Sequence, residues 1–156
     1  MKKYSLYLIF ALIVSCNENS KELININASL RQNDELKENP LLMHPITSSI
    51  QPKDSTMSTL YGNDVAFNHI RKNFNSDYPQ NAVLYEVNWK QKPDELWFGG
   101  NIPKEIKSVE KITFGNNGSI NYEIFQGKPL KKAKTDINTN NLRKEFIISQ
   151  KMAVSP

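Results

Sequence analysis

The sequence holds few side chains in the patterns that catalysis or metal binding requires. It contains two histidines, His44 and His69, and one cysteine, Cys16. It has no HExxH motif, no Gly-rich phosphate loop and no GxSxG nucleophile elbow. His69 precedes Ile70 in a stretch of helical periodicity, where a lone histidine is either a packed side chain or a ligand to haem or a metal ion. The pattern predicts no catalytic residue and no metal site, and leaves His69 as the candidate haem ligand.

Two glutamates on predicted strands, Glu86 and Glu110, are the candidates for a carboxylate pair. Paired carboxylates whose pKa values differ can divide the roles of general acid and general base. The alternative is a pair of solvated side chains, since antiparallel sheets commonly present one face to water. The sequence favours the solvated interpretation.

Four aromatic residues are the candidates for a ligand-binding site. Tyr85 and Trp89 fall on one face of a predicted strand, whereas Trp97 and Phe98 precede a Gly99-Gly100 turn. Large aromatics in such positions either line a pocket or cap the core. The sequence favours capping of the core. If the aromatics line a pocket instead, all four are ligand-binding residues.

The single cysteine follows a segment with the layout of an export signal. Lys2 and Lys3 form a short positive region, and residues 6–14 are apolar without a charge. A membrane-spanning helix needs roughly 20 apolar residues, so this run has the length of a signal-peptide core instead. The tetrapeptide Ile13-Val14-Ser15-Cys16 resembles the lipobox of bacterial lipoproteins. Residues 1–15 are therefore predicted to be a lipoprotein signal peptide, and Cys16 is predicted to carry the lipid.

Two alternatives are a plain secretory signal, in which Cys16 is incidental, and an uncleaved anchor. Under the lipoprotein prediction, lipid on Cys16 attaches the protein to a membrane of the cell envelope, and several acyl chains hold better than one. An Asp after the lipidated cysteine resembles an inner-membrane retention signal of enteric bacteria. Asn17 at this position therefore favours the outer membrane, with the protein on its periplasmic or surface face.

Residues 16–45 are predicted to be the lipidated cysteine and a flexible tether. Asn, Glu, Lys, Ser and Asp dominate this stretch, and its apolar residues keep no period. The formal net charge of +4 falls to +2 once Lys2 and Lys3 leave with the signal peptide. So weak and scattered a charge argues against a nucleic-acid partner.

Residues 46–156 are predicted to form an α+β domain, an antiparallel sheet packed against two or three helices. A helix begins at Asn63 or Asp64 and ends near Asp77, before Tyr78-Pro79. Predicted strands are 82–90, 108–114 and 120–125, and the last two are joined by a turn at Asn117-Gly118.

A last helix is predicted to begin at Asp136 or Thr139, either of which can cap it. The apolar stripe of this helix consists of Leu142, Phe146 and Ala153, with Met152 beside it.

From about residue 46 onward, the chain resembles bacterial proteins of the cytochrome P-460 family. The most specific segments are residues 57–64, which read MSTLYGND, and the spacing from Trp97-Phe98-Gly99 to Ile112. The resemblance also covers residues 46–49, 78–89, 122–129 and 147–156.

The resemblance implies an α+β sheet fold and a homodimer formed through it. Founding members of the family are periplasmic c-type haem enzymes that oxidise hydroxylamine, with a CxxCH motif near the C-terminus and a lysine cross-linked to the haem. This chain has no CxxCH, and residues 150–156 contain neither Cys nor His. The strand at 82–86, where the lysine is expected, contains no lysine. The resemblance thus implies the fold without the enzyme's site.

The leading hypothesis from sequence is a non-enzymatic envelope lipoprotein whose haem-free domain binds a small ligand or a partner protein. No cofactor is predicted. The second hypothesis is a redox protein, of the hydroxylamine-oxidising or electron-transfer type, that holds haem non-covalently through His69. The third is a purely structural envelope protein.

Replacement of Cys16 by Ser tests the lipid attachment. The variant should stay uncleaved by the lipoprotein signal peptidase and should take up no fatty-acid probe, because the hydroxyl cannot replace the thiol that accepts the lipid. Metabolic labelling and the mass of the purified chain measure both effects. Normal labelling of Cys16→Ser would contradict the prediction.

Overall fold

The computed structural model describes residues 25–72 and 77–153. The predicted signal peptide, Cys16 and the first part of the predicted tether (17–24) lie outside the described residues. So do residues 73–76, the last part of the helix that was expected to end near Asp77, and the last three residues of the chain.

Six consecutive strands form one antiparallel sheet in which each strand pairs with its neighbour in sequence. The strands are β1 (His44–Gln51), β2 (Thr56–Gly62), β3 (Val83–Pro93), β4 (Asn101–Phe114), β5 (Ile120–Gln126) and β6 (Lys131–Ala133). The described residues also form two α-helices, α1 (Asp64–Lys72) and α2 (Ile137–Ser149). The predicted α+β class with an antiparallel sheet is confirmed, whereas β1, β2 and β6 were not predicted.

The β4–β5 hairpin has the predicted turn. Gly115 N donates to Ser119 O at 2.8 Å, and Asn117 and Gly118 have φ angles of 56° and 73°. Asn and Gly tolerate this left-handed backbone better than other residues, so the turn residues set the register of the two strands.

Asn63 caps helix α1, as its sequence position indicated. Its Oδ1 accepts hydrogen bonds from Ala66 N at 3.0 Å and from Val83 N at 3.1 Å, and its Nδ2 donates to Asn81 O at 2.9 Å. One side chain thus satisfies a free amide of the first helical turn and joins the helix to the start of β3.

Both faces of the sheet are covered. The face under α1 and α2, called the helix face, contains buried Leu60, Leu84 and Ile112, which pack with Ala66, Ile70 and Ile147 of the helices. The opposite face contains buried Tyr85, Val87, Trp89, Val109, Phe125 and Leu130.

Residues 25–43, called the N-terminal segment, cover this second face, although the sequence predicted a flexible tether as far as residue 45. Side chains of the segment that are partly buried there are Ala28, Leu30, Leu36, Leu41 and Met43. The segment also accepts hydrogen bonds from the rest of the domain. Trp89 Nε1 donates to Ala28 O (2.9 Å), Tyr85 Oη donates to Glu38 Oε2 (2.7 Å), and Leu130 N donates to Asp34 Oδ1 (2.7 Å). The backbone of the segment follows an irregular path over the sheet. Its leucines therefore show neither a helical nor a strand period.

Helix α2 buries a different stripe from the predicted one. Asp136 is the cap and accepts a hydrogen bond from Thr139 N at 3.0 Å. Leu142 and Phe146 are 70% and 45% exposed, however, whereas Ile147 is fully buried. The predicted apolar stripe is therefore wrong, because α2 turns a partly polar side towards the sheet. Within the described ranges, no helix is long and apolar enough to cross a membrane.

Removal of the N-terminal segment should destabilise the domain. A chain that begins at Leu41 loses those three hydrogen bonds, worth about 1 kcal/mol each, further ones made by Asn25 and Glu35, and the apolar cover over Trp89 and Tyr85. We expect its free energy of unfolding in urea to be at least about 3 kcal/mol below that of a chain that begins at Asn17.

A chain that begins at Asn25 is the matched control, because it retains every described contact of the segment. Equal urea midpoints for the chains that begin at Asn25 and at Leu41 would show that the segment does not stabilise the sheet.

Candidate functional site

A pair of buried glutamates lies on the helix face of the sheet. Glu86 on β3 and Glu110 on β4 are directly opposite each other in the strand register, and only 1% and 4% of their surfaces are exposed. The sequence interpretation as solvated residues is wrong, and the structure brings the two carboxylates together. Like charges directly opposite each other destabilise a sheet, and buried charges require partners.

Arg143 of α2 is the cation that pairs with both glutamates. Its Nε and Nη2 donate to Glu110 Oε2 and Oε1 at 3.0 and 2.8 Å, and Nη2 also donates to Glu86 Oε2 at 3.1 Å. The two-point contact with Glu110 is the strong geometry of an arginine–carboxylate pair. Phe146, on the next turn of α2, places its ring centroid 5.0 Å from the guanidinium carbon. Arg143 therefore joins α2 to β3 and β4.

Glu110 has further donors on neighbouring strands. Tyr122 Oη on β5 donates to its Oε2 at 2.6 Å, and Asn88 Nδ2 on β3 donates to its Oε1 at 3.2 Å. Each carboxylate oxygen of Glu110 thus accepts two hydrogen bonds. Burial and the neighbouring Glu110 raise the pKa of Tyr122, so its hydroxyl stays protonated and donates. We call Glu86, Asn88, Glu110, Tyr122 and Arg143 the glutamate cluster.

The glutamate cluster contains two carboxyl groups and one cation. Burial raises the pKa of Glu86, although a hydrogen bond from Ser58 and the charge of Arg143 favour the carboxylate. Burial alone would lower the pKa of Arg143, but Glu110 and Glu86 outweigh it and raise that pKa. The guanidinium therefore stays charged, and the cluster carries a net charge of −1 whenever both glutamates are ionised.

A cavity of about 400 Å³ opens beside the cluster, between α2 and the sheet. Its size lies in the range of small-molecule sites, about 300–1,000 Å³. The cluster forms one part of its wall, and the remaining residues are mostly polar: Gln51, Asp54, Thr56, Lys107, Ser108, Ile124, Gln126, Thr135, Thr139, Asn140 and Phe146. Hydroxyl and amide groups therefore face the space from both the sheet and the helix side.

The four aromatic candidates do not line this cavity. Tyr85 and Trp89 are buried under the N-terminal segment on the opposite face, where burial and the hydrogen bond to Glu38 raise the pKa of Tyr85. Tyr85 lines a separate cavity of about 310 Å³. Trp97 and Phe98 are 76% and 109% exposed in the β3–β4 loop, so the interpretation in which these two residues cap the core is wrong.

Both histidines also lie away from this cavity. His69 on α1 has its ring centroid 5.3 Å from that of Tyr78. His44 Nε2 lies 2.7 Å from Asp64 Oδ1, and its ring stacks on Phe67 at 4.5 Å. Within residues 25–72 and 77–153, no group of three or more His, Cys, Asp or Glu side chains is arranged to hold a metal ion.

Sequence reasoning missed Arg143, Tyr122 and Asn88. A signal for Arg143 existed, because it precedes Ile147 by four residues and therefore shares its side of the helix. An arginine in line with a buried isoleucine indicates a buried partner of opposite charge. The alternation of β3 likewise placed Glu86 on the face of Leu84, which is buried.

Comparison of the sequence with protein-family models and with curated proteins finds no match. The glutamate cluster and its cavity therefore carry the functional inference.

Replacement of Arg143 by Met should lower the free energy of unfolding by about 3 kcal/mol, because it leaves Glu86 and Glu110 buried without a cation. Urea denaturation measures the change. Lys131→Met, at an exposed position on β6, is the control and should change stability by less than about 0.5 kcal/mol.

The triple variant Glu86→Gln, Glu110→Gln, Arg143→Met should recover most of the loss, because it removes the uncompensated charges together with their partner. If Arg143→Met were as stable as Lys131→Met, the cluster would not be holding α2 on the sheet.

Proposed function

We propose that this chain is a lipid-anchored protein of the cell envelope whose non-enzymatic domain binds a small ligand in the cavity between α2 and the sheet. The observation that supports ligand binding is the buried glutamate cluster, with two carboxyl groups and one cation, in the wall of a cavity of about 400 Å³. Titratable groups whose pKa values are shifted and that face a cleft are typical of binding sites. The lipid anchor is supported by the sequence pattern that ends at Cys16.

The charge of the cavity favours a cationic ligand. Glu86 and Glu110 outnumber Arg143, and the two other charged residues of the wall, Asp54 and Lys107, cancel each other. An ammonium group in the cavity would compensate the excess carboxylate, and desolvated charges attract one another more strongly than exposed ones. The hydroxyl and amide groups of the wall suit further hydrogen bonds to the ligand. We therefore propose a small polar amine.

Thermal unfolding in the presence of small amines tests this function. Ethanolamine and putrescine are the probes, with glycolate and succinate as anionic controls at the same ionic strength. A ligand at about 100 times its Kd should stabilise the domain by about 2.7 kcal/mol. We expect at least one amine to raise Tm and both carboxylates to leave it unchanged.

Glu86→Gln should weaken amine binding at least tenfold, because it removes a negative charge without changing the shape of the side chain. Glu145→Gln, on the exposed side of α2, is the matched control and should bind as the unchanged protein does. Equal Tm values with amines, carboxylates and no ligand would contradict the proposal.

We also propose that the domain is a haem-free member of the cytochrome P-460 family. The sequence segments that resemble this family and an α+β domain with an antiparallel sheet support the assignment, and the missing CxxCH motif supports the absence of covalent haem. The absorbance spectrum of the purified protein should show no Soret band. A band that survives acid–acetone extraction would restore the haem enzyme, and one lost on extraction and in His69→Ala would favour non-covalent haem.

A further inference from the structure

The β3–β4 hairpin ends in an exposed apolar tip. Leu96, Trp97 and Phe98 are consecutive and are 90%, 76% and 109% exposed. Hydrogen bonds of Asp94 stabilise the turn. Its Oδ1 accepts from Leu96 N at 2.9 Å, and its N donates to Gly100 O at 2.9 Å. Three large apolar side chains on one turn form the kind of surface that contacts a partner or a membrane.

The described part of the chain begins beside this hairpin. Asn25 Nδ2 donates to the carbonyl oxygens of Pro103 and Lys104 on β4, at 2.8 and 3.2 Å. The last pair of the hairpin is Pro93 with Asn101, two residues from Pro103 and so about 7 Å along the strand. The next residue, Ile26, is 61% exposed at the same place.

If Cys16 carries the proposed lipid, this position limits which end of the domain can meet the membrane. Asn25 is the ninth residue after Cys16, so their Cα atoms lie at most about 32 Å apart. Phe114, at the far end of β4, lies eleven residues beyond Pro103, about 36 Å along the strand. About 36 Å exceeds about 32 Å, so the far end of β4 could not meet the membrane end-on even if the intervening residues were fully extended. The hairpin tip, in contrast, lies within their reach.

A second group of exposed apolar side chains lies on α2, so exposure alone does not identify the hairpin tip as the membrane contact. Ile137, Leu142 and Phe146 of α2 are 74%, 70% and 45% exposed. Helix α2 lies on the helix face, however, and the N-terminal segment that leads to Cys16 lies on the opposite face. The position of the N-terminal segment favours the hairpin tip over α2.

We propose that the tip formed by Leu96, Trp97 and Phe98 inserts into the bilayer that holds the lipid on Cys16, as a second membrane contact that orients the domain. The inference rests on the proposed lipid anchor. Trp is enriched at membrane interfaces, since its ring is apolar and its N–H is polar. The anchor makes the second contact intramolecular, so a weak affinity of the tip suffices. Asp94 and Glu95 offset nearby lysines, so apolar contact rather than net charge drives the insertion.

The two tryptophans allow a direct test on the lipidated mature protein. Trp97 is exposed, whereas Trp89 is buried and hydrogen-bonded to Ala28. In phosphatidylcholine vesicles with brominated acyl chains, we expect the emission of Trp97 to fall at least twofold relative to vesicles without bromine. The variant Trp97→Phe keeps the tip apolar and leaves Trp89 as the fluorophore. Because Trp89 is buried away from the tip, the emission of this variant should be insensitive to bromine.

A double variant, Leu96→Ser with Phe98→Ser, tests the insertion itself. Both residues are exposed, so the far-ultraviolet circular dichroism should be unchanged while bromine quenching of Trp97 is lost. Flotation of the same vesicles reports the anchor separately. The double variant should float with Trp97 unquenched. If the lipidated protein without substitutions floats with Trp97 unquenched, the insertion is overturned and the anchor stays in place, as expected if the tip binds another protein instead. Protein that does not float would overturn the anchor and the insertion with it.

Discussion

The structure depends on two glutamates that lie opposite each other inside the protein. Glu86 and Glu110 are cross-strand partners on the helix face, an arrangement that is unfavourable until a cation enters between them. Arg143 is that cation, and it comes from α2, so the helix must lie over the middle of β3 and β4. This pairing accounts for the polarity of the helix's inner side and, together with the burial of Ile147, for the position of the helix.

The helix face changes character along the strands for the same reason. At the end near α1 it is apolar, with Leu60, Leu84 and Ile112. Towards the β3–β4 hairpin it becomes polar, through Asn88 and Ser108, which are partners in register. Apolar contacts close the first end, and the second end stays open as the cavity. The cavity therefore lies in the half of the domain that carries the hairpin, and a membrane contact at the hairpin would bring the cavity close to the bilayer.

Local signals in the sequence were reliable where a single residue carries the structural role. Asn63 caps α1, Asp136 caps α2, and Asn117-Gly118 turns the chain between β4 and β5. Strands β1 and β2 escaped prediction because pairing with neighbouring strands stabilises them, and their own sequence shows no clear period. Their facing side chains include hydroxyl pairs such as Ser48 with Thr59, 2.8 Å apart, and serine and threonine at these positions show no apolar alternation.

The sequence by itself determined the α+β class, the caps, one hairpin turn and the two-sided alternation of β3, because each depends on residues that are neighbours along the chain. It also carries the pattern ending at Cys16 on which the proposed lipid anchor rests. Only the tertiary structure decided that Glu86 and Glu110 are buried, that Arg143 lies between them and that residues 25–43 cover the sheet. These outcomes depend on contacts between distant segments, where burying one charge requires another to arrive from elsewhere in the fold.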